Sequence, residues 1–77
     1  MNIPEEWARA FVTREILARR SMIESIQQIS GLSLSRAEKA FKKLDSAKAF
    51  NYDGYDGVYR VKHGSFLDKD VLVRASS

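Results

Sequence analysis

Cysteine is absent from this 77-residue chain; histidine occurs once, at His63, and proline once, at Pro4. Without cysteine there is no disulfide framework and no thiolate metal site. A single histidine leaves a zinc site short of nitrogen donors. No apolar run approaches the ~20 residues needed to span a bilayer. The first residues also lack the basic-then-apolar layout of a secretion signal, because Glu5 and Glu6 stand where positive charge belongs. A reducing, cytoplasmic setting is therefore the expectation. There is no P-loop, no G-x-G-x-x-G and no Ser/His/Asp spacing of note, and the acidic residues are scattered. A chain this short is also expected to lack room for a ligand cleft of several hundred Å³. These absences argue against an enzyme, a cofactor, a metal and a small-molecule ligand.

What is present is one domain's worth of ordinary globular composition, 44% hydrophobic and 30% charged. A chain of this size buries only somewhat over about 60% of the surface its unfolded form exposes, so its core is thin. The net charge is +3, and it is unevenly placed. Residues 1–20 carry +1 and residues 21–34 carry −1; residues 35–48 carry +3 and residues 49–77 carry 0. The whole excess thus falls on one short stretch. A basic stripe there is the expected footprint of phosphate contact; a solvated helix face is the bland explanation.

Along the chain, Pro4-Glu5-Glu6 reads as a helix start, with proline tolerated in the first turn and two carboxylates at the positive end of the dipole. Trp7, Ala10, Phe11, Leu17 and Ala18, widened by Val12 and Ile16, predict a buried face on a helix over about 4–20. Ser21-Met22-Ile23-Glu24 has the form of a capping box and predicts a new helix over 21–30. Its inner stripe is Met22, Ile23, Ile26 and Ile29, and it stops at Gly31, where a left-handed residue costs no Cβ strain. Leu32 is expected to plug the turn. Ser33 or Ser35 then caps a helix over 34–47, and Ser35-Arg36-Ala37-Glu38 forms a second box. In that helix Ala37, Ala40, Phe41, Leu44 and Ala47 form the inner register. From Ala49 the period changes to two, and the pairs Asp53-Gly54 and Asp56-Gly57 predict a hairpin over about 49–62. Tyr52 and Tyr59 are expected to face each other across it, with Tyr55 exposed at its tip. Residues 71–74 are read as a further strand, with a short helix as the alternative.

The order helix, helix, Gly31-Leu32-Ser33 turn, helix, then a strand–turn–strand with Phe50, Gly57 and Tyr59-Arg60-Val61 resembles the DNA-binding domains of bacterial and phage winged-helix regulators. The likeness covers residues 23–61. It implies an α+β fold: a three-helix winged helix-turn-helix with a C-terminal two- or three-stranded β-hairpin wing, spanning 1–77 as one domain. It differs from the usual pattern at Gln27, where a small residue is common, and in lacking room for a strand between the first two helices. Its hairpin tip is also acidic rather than basic.

In such a motif the second helix enters the major groove, about 12 Å wide, with its N-terminal residues at base edges. That places Ser35, Arg36 and Lys39 as base readers, and Arg36 can bind guanine in bidentate fashion. Lys42 and Lys43 fall further along and suit phosphates. Ser33 and the helix-start amides are placed to hold a phosphate, although capping explains either serine equally well. Arg60 and Lys62 on the second strand, and Gln28 before the turn, are read as backbone contacts. The expected function is sequence-specific binding of double-stranded DNA, as in a transcription or recombination and replication regulator of a phage or mobile element acting as a homodimer. The alternative is a protein-interaction module on the same fold, docking on a larger complex; the acidic tip and Tyr55 favour it.

Overall fold

The computed structural model describes residues 4–77. In chain order the elements are α1 (Glu5–Ser30), α2 (Leu34–Ser46), β1 (Phe50–Asp53), β2 (Val58–Val61), a 3₁₀ turn (Gly64–Leu67) and α3 (Lys69–Ala75). The fold is α+β, with three helices and a two-stranded antiparallel hairpin. The three helices are not the three expected, and the hairpin is followed by α3 rather than ending the chain.

The first difference is α1. The break expected at Ser21 does not occur: one helix of 26 residues runs through it. No glycine or proline interrupts residues 5–30. Ala18, Met22, Ile26 and Ser30 follow at four-residue steps, so a single inward face carries across the supposed boundary. Ser21 lies inside the helix, and its carbonyl accepts from Ser25 Oγ at 3.2 Å. At 1.5 Å per residue α1 is about 39 Å long, which accounts for most of the 44 Å long axis of the molecule. The helix start comes close to expectation, with Pro4 as N-cap; Asn2 and Ile3 lie outside the described residues.

The second difference is residues 71–74, which form α3 and not a strand. Leu67, Val71, Leu72 and Ala75 pack on the core at spacings of four, one and three, a helical set that period two cannot produce.

The core is Ile23 and Ile26 of α1, Ala37, Ala40, Phe41 and Leu44 of α2, Ala49 and Phe50, and Leu72 and Ala75 of α3. Ala37 and Ala40 are wholly buried, and their small size lets α2 approach α1 closely. Phe41 stacks on Phe50 with ring centroids 5.5 Å apart and meets the edge of Tyr59 at 5.2 Å. Such pairs contribute about 0.5–1.5 kcal/mol beyond their area. The expected inner register of α2 holds except at Ala47, which is exposed.

Among the described side chains, the buried face expected at the start of α1 does not form. Trp7 is 62% exposed, Leu17 56%, Val12 56% and Ile16 54%; only Ala18 is buried. Ala10 is exposed as well. The side chain of Phe11 lies outside what is described. Further along, Ile29 is exposed and Ser30 is buried in its stead. The reason is topological: α2 and α3 are short and reach only the second half of α1, leaving the first half no surface to pack against beyond the hairpin.

The hairpin has the register Phe50↔Val61, Asn51↔Arg60, Tyr52↔Tyr59 and Asp53↔Val58. Tyr52 and Tyr59 do face each other, with rings 5.2 Å apart. The four-residue tip closes through Gly57, whose φ of +68 is left-handed and whose N–H donates to Asp53 O at 2.7 Å.

Candidate nucleic-acid interface

The junction between α1 and α2 is closed by five local bonds. Gly31 takes a left-handed φ of +74 as the C-cap of α1, and its N–H donates to Gln27 O at 2.8 Å. Ser30 is buried, yet its Oγ donates to Ile26 O at 2.5 Å and accepts from Leu32 N at 3.2 Å. Gln27 Nε2 reaches Leu32 O at 3.5 Å, which gives this long amide a role where a small residue was the norm. Ser33 is the N-cap of α2: its Oγ accepts from Arg36 N at 3.4 Å. Ser35 sits within the first turn, so the second S-x-x-E box is not used as a cap. Ser30 and Gln27 were missed as turn-forming residues. The available signal was polarity on an otherwise apolar inward stripe just before a glycine stop.

These bonds fix the rotation of α2 about its own axis. With Ala37, Ala40, Phe41 and Leu44 inward, 100° steps put Ser35, Lys39, Lys42 and Ser46 along the centre of the outward face. Arg36 and Lys43 flank it on one side, Glu38 and Asp45 on the other. Ser33, Ser35, Arg36, Lys39, Lys42 and Lys43 are all exposed. Among the described residues, none of these four cations enters an ion pair. The basic stretch is thus a solvent-facing stripe on a rigid helix.

The strand residues differ. Arg60 on β2 and Lys62 just past its end are exposed, but Arg60 is bound. Its Nε donates to Asp53 Oδ2 at 2.9 Å, and its Nη2 donates to Asp56. The paired carboxylates, Asp53 first, hold the guanidinium still more firmly protonated. The Arg60 guanidinium beside Asp53 in turn keeps that carboxyl below the usual carboxylate range, helped by the amides of Asp56 and Tyr55. Asp53 Oδ1 accepts from Tyr55 N at 2.9 Å and Asp56 N at 3.1 Å. The one guanidinium thus offsets one of the two carboxylate charges, and the tip stays acidic by one charge. Tyr55 projects from it, 93% exposed. Lys62 remains extended into solvent, with its backbone N–H donating to Ala49 O at 3.0 Å.

The hairpin is tied back to the middle of α1. Arg14 donates to Tyr55 O at 3.4 Å, and Tyr59 OH donates to Glu15 Oε1 at 3.5 Å. Burial, then the Glu15 carboxylate, pushes the Tyr59 phenol above its ordinary pKa. The Arg19 guanidinium lies over the Phe41 ring, 5.3 Å from its centre. His63 is a loop residue, and its Nδ1 accepts from Ser65 N at 3.4 Å.

Contrary to the expectation of no cleft, an open groove of about 520 Å³ runs between α1 and α2. Ile16, Ile23 and Leu34 line it together with Arg19, Arg20, Lys42, Glu24, Gln27 and Glu38. Gln28 lines a separate shallow depression beside Gly31 and Leu32. Among the described residues no group of three or more His, Asp or Glu side chains is placed to hold a metal ion. No helix among them is long and apolar enough to cross a membrane. Compared with protein-family models, curated proteins and solved structures, the chain finds no match.

Proposed function

We propose that this chain binds double-stranded DNA sequence-specifically, as a small winged-helix regulator, with α2 as the reading helix. One observation carries the reading: Ser35, Arg36, Lys39, Lys42 and Lys43 form an exposed basic stripe on the helix that follows a tightly bonded helix–turn–helix junction. Ser35, Arg36 and Lys39, nearest the helix start, meet base edges. Lys42 and Lys43 meet phosphates. Ser33 orders the first turn, so Arg36 is presented from a fixed backbone. Lys62 adds a backbone contact; Arg60 holds the hairpin tip together and contributes less than its charge implies.

Fluorescence anisotropy with a duplex obtained by selection from random sequence tests this. Arg36→Ala is expected to weaken binding by about 1–3 kcal/mol and to relax specificity at one base pair. Lys43→Ala should weaken all duplexes alike and reduce the salt slope by about one. Binding that ignores salt, or that survives Arg36→Glu with Lys39→Glu, would contradict the proposal.

A second reading is favoured by the fully exposed Tyr55 on its braced acidic turn. On that reading the hairpin tip is a protein contact, and the chain docks on a larger complex. Tyr55→Ala would then abolish partner binding while duplex binding persists.

A further inference from the structure

Four of the five apolar residues of α2, Ala37, Ala40, Phe41 and Leu44, are buried; the fifth, Leu34, is 55% exposed. Its spacing of three and seven residues to Ala37 and Phe41 places it at the edge of the inner face, where it lines the open groove against α1. Leu34 is also the first residue of the helix. Its backbone is held there by the residue before it, since Ser33 Oγ accepts from Arg36 N at 3.4 Å. Helical side chains lean toward the N-terminus of their helix, so Leu34 is carried to the open end of α2, beside Ser35. A large apolar group thus stands in water at the start of the basic helix, on a fixed backbone.

We infer that Leu34 is a specificity residue that packs against the C5 methyl group of a thymine in the major groove. This inference rests on the reading of α2 as the helix that meets DNA. On that reading the residues nearest the helix start lie at base edges, and Leu34 comes before Ser35, Arg36 and Lys39 in that order. Leucine has no donor for a phosphate oxygen, and pressing it against one strips water from a charged group without a replacement bond. Base edges in the major groove present hydrogen-bond donors and acceptors, and thymine alone adds a methyl group. Packing Leu34 on that methyl removes apolar surface from water on both partners, while Arg36 and Lys39 supply the hydrogen bonds. The contact selects T·A over C·G at one base pair, because cytosine lacks the methyl group and offers an amine instead.

Deoxyuridine in place of thymidine removes the methyl group and leaves base pairing unchanged, so the first arm of the test leaves the protein untouched. Each thymine of the duplex selected from random sequence is replaced in turn, and binding is followed by fluorescence anisotropy. Replacement at one thymine should weaken wild-type binding about fourfold, the worth of burying one methyl-sized apolar group. Leu34→Ala should bind the thymine duplex at least about fourfold more weakly and be indifferent to that same replacement, the mark of a direct contact. Leu34→Ser is the second variant, with the same result expected, should the first prove unfolded by circular dichroism. Replacement of every thymine without effect on wild type would overturn the inference, as would a deoxyuridine penalty that persists in both variants. In either case duplex binding that still depends on Arg36 and Lys39 would keep α2 as the reading helix, so the two failures are told apart. Wild-type protein that binds no duplex at low salt would overturn both.

Discussion

The two halves of α1 belong to one continuous helix and meet opposite surroundings. Residues 5–17 carry seven apolar side chains and residues 18–30 only five, yet among the described side chains the buried apolar ones all lie in the second half: Ala18, Ile23 and Ile26. Apolar content therefore does not decide burial in this chain. What decides it is whether another element reaches the helix. α2 and α3 pack on the second half and the hairpin on the middle; the first turns project past all of them. The second half is a core strut that fixes the angle of α2, and the first half leaves Trp7, Val12, Ile16 and Leu17 exposed.

The largest test of this contrast is core deletion. Phe41, 1% exposed and in contact with Phe50, Tyr59 and Arg19, should cost about 3–5 kcal/mol as Phe41→Ala in urea unfolding. For a domain of this size that is a large part of total stability. Ile16→Ala, by contrast, should change stability by no more than about 0.5 kcal/mol. A comparable loss at Ile16 would break the contrast, because it would place the first half in the core.

Next in size is the junction. Gly31→Ala should cost about 1 kcal/mol through its left-handed φ, although a Cβ there meets no neighbouring atom. Ser33→Ala should cost about 1 kcal/mol by removing the cap of α2. Both belong to the part of the molecule that orients the reading helix. They should therefore weaken duplex binding at temperatures where the fold is otherwise intact.

The smallest effect concerns pH. The folded pKa of Asp53 lies below its ordinary value, so its contribution to stability is fully present above that ordinary value. It is lost as the pH falls through the lower, folded one. Thermal unfolding of wild type should therefore show a small added loss in the acid range that Asp53→Asn removes. An unchanged acid profile in the variant would mean that the bonds from Asp53 to Arg60 and the tip amides do not stabilise the hairpin.

The sequence showed most where local chemistry decides structure. Gly31, the inner face of α2 from Ala37 to Leu44 and the facing of Tyr52 and Tyr59 are set by residues within a few positions of each other, and they could be read directly; the cap of α2 was legible only as Ser33 or Ser35. It misled where a local signal competes with a longer one. Ser21-x-x-Glu24 has the letters of a cap, but the four-residue run Ala18, Met22, Ile26, Ser30 continues through it and no helix breaker supports the stop. Val71-Leu72-Val73 has strand-forming residues, but its packing partners are helical in spacing. Trp7 and Leu17 read as core because periodicity reports a face without saying what covers it. At the candidate site, the basic stripe on α2 was legible from charge sums alone. The commitment of Arg60 to Asp53 and Asp56 was not, since it depends on how the tip folds back on its own strand.

One measurement bears most directly on α2 as a reading helix: backbone amide shifts followed by NMR while duplex DNA is added. The expected result is a continuous set of perturbed amides over residues 33–43, strongest near Arg36 and Lys39, with the amides of residues 54–57 nearly still. Perturbation centred on the hairpin tip with α2 unmoved, or no perturbation at low salt, would contradict it.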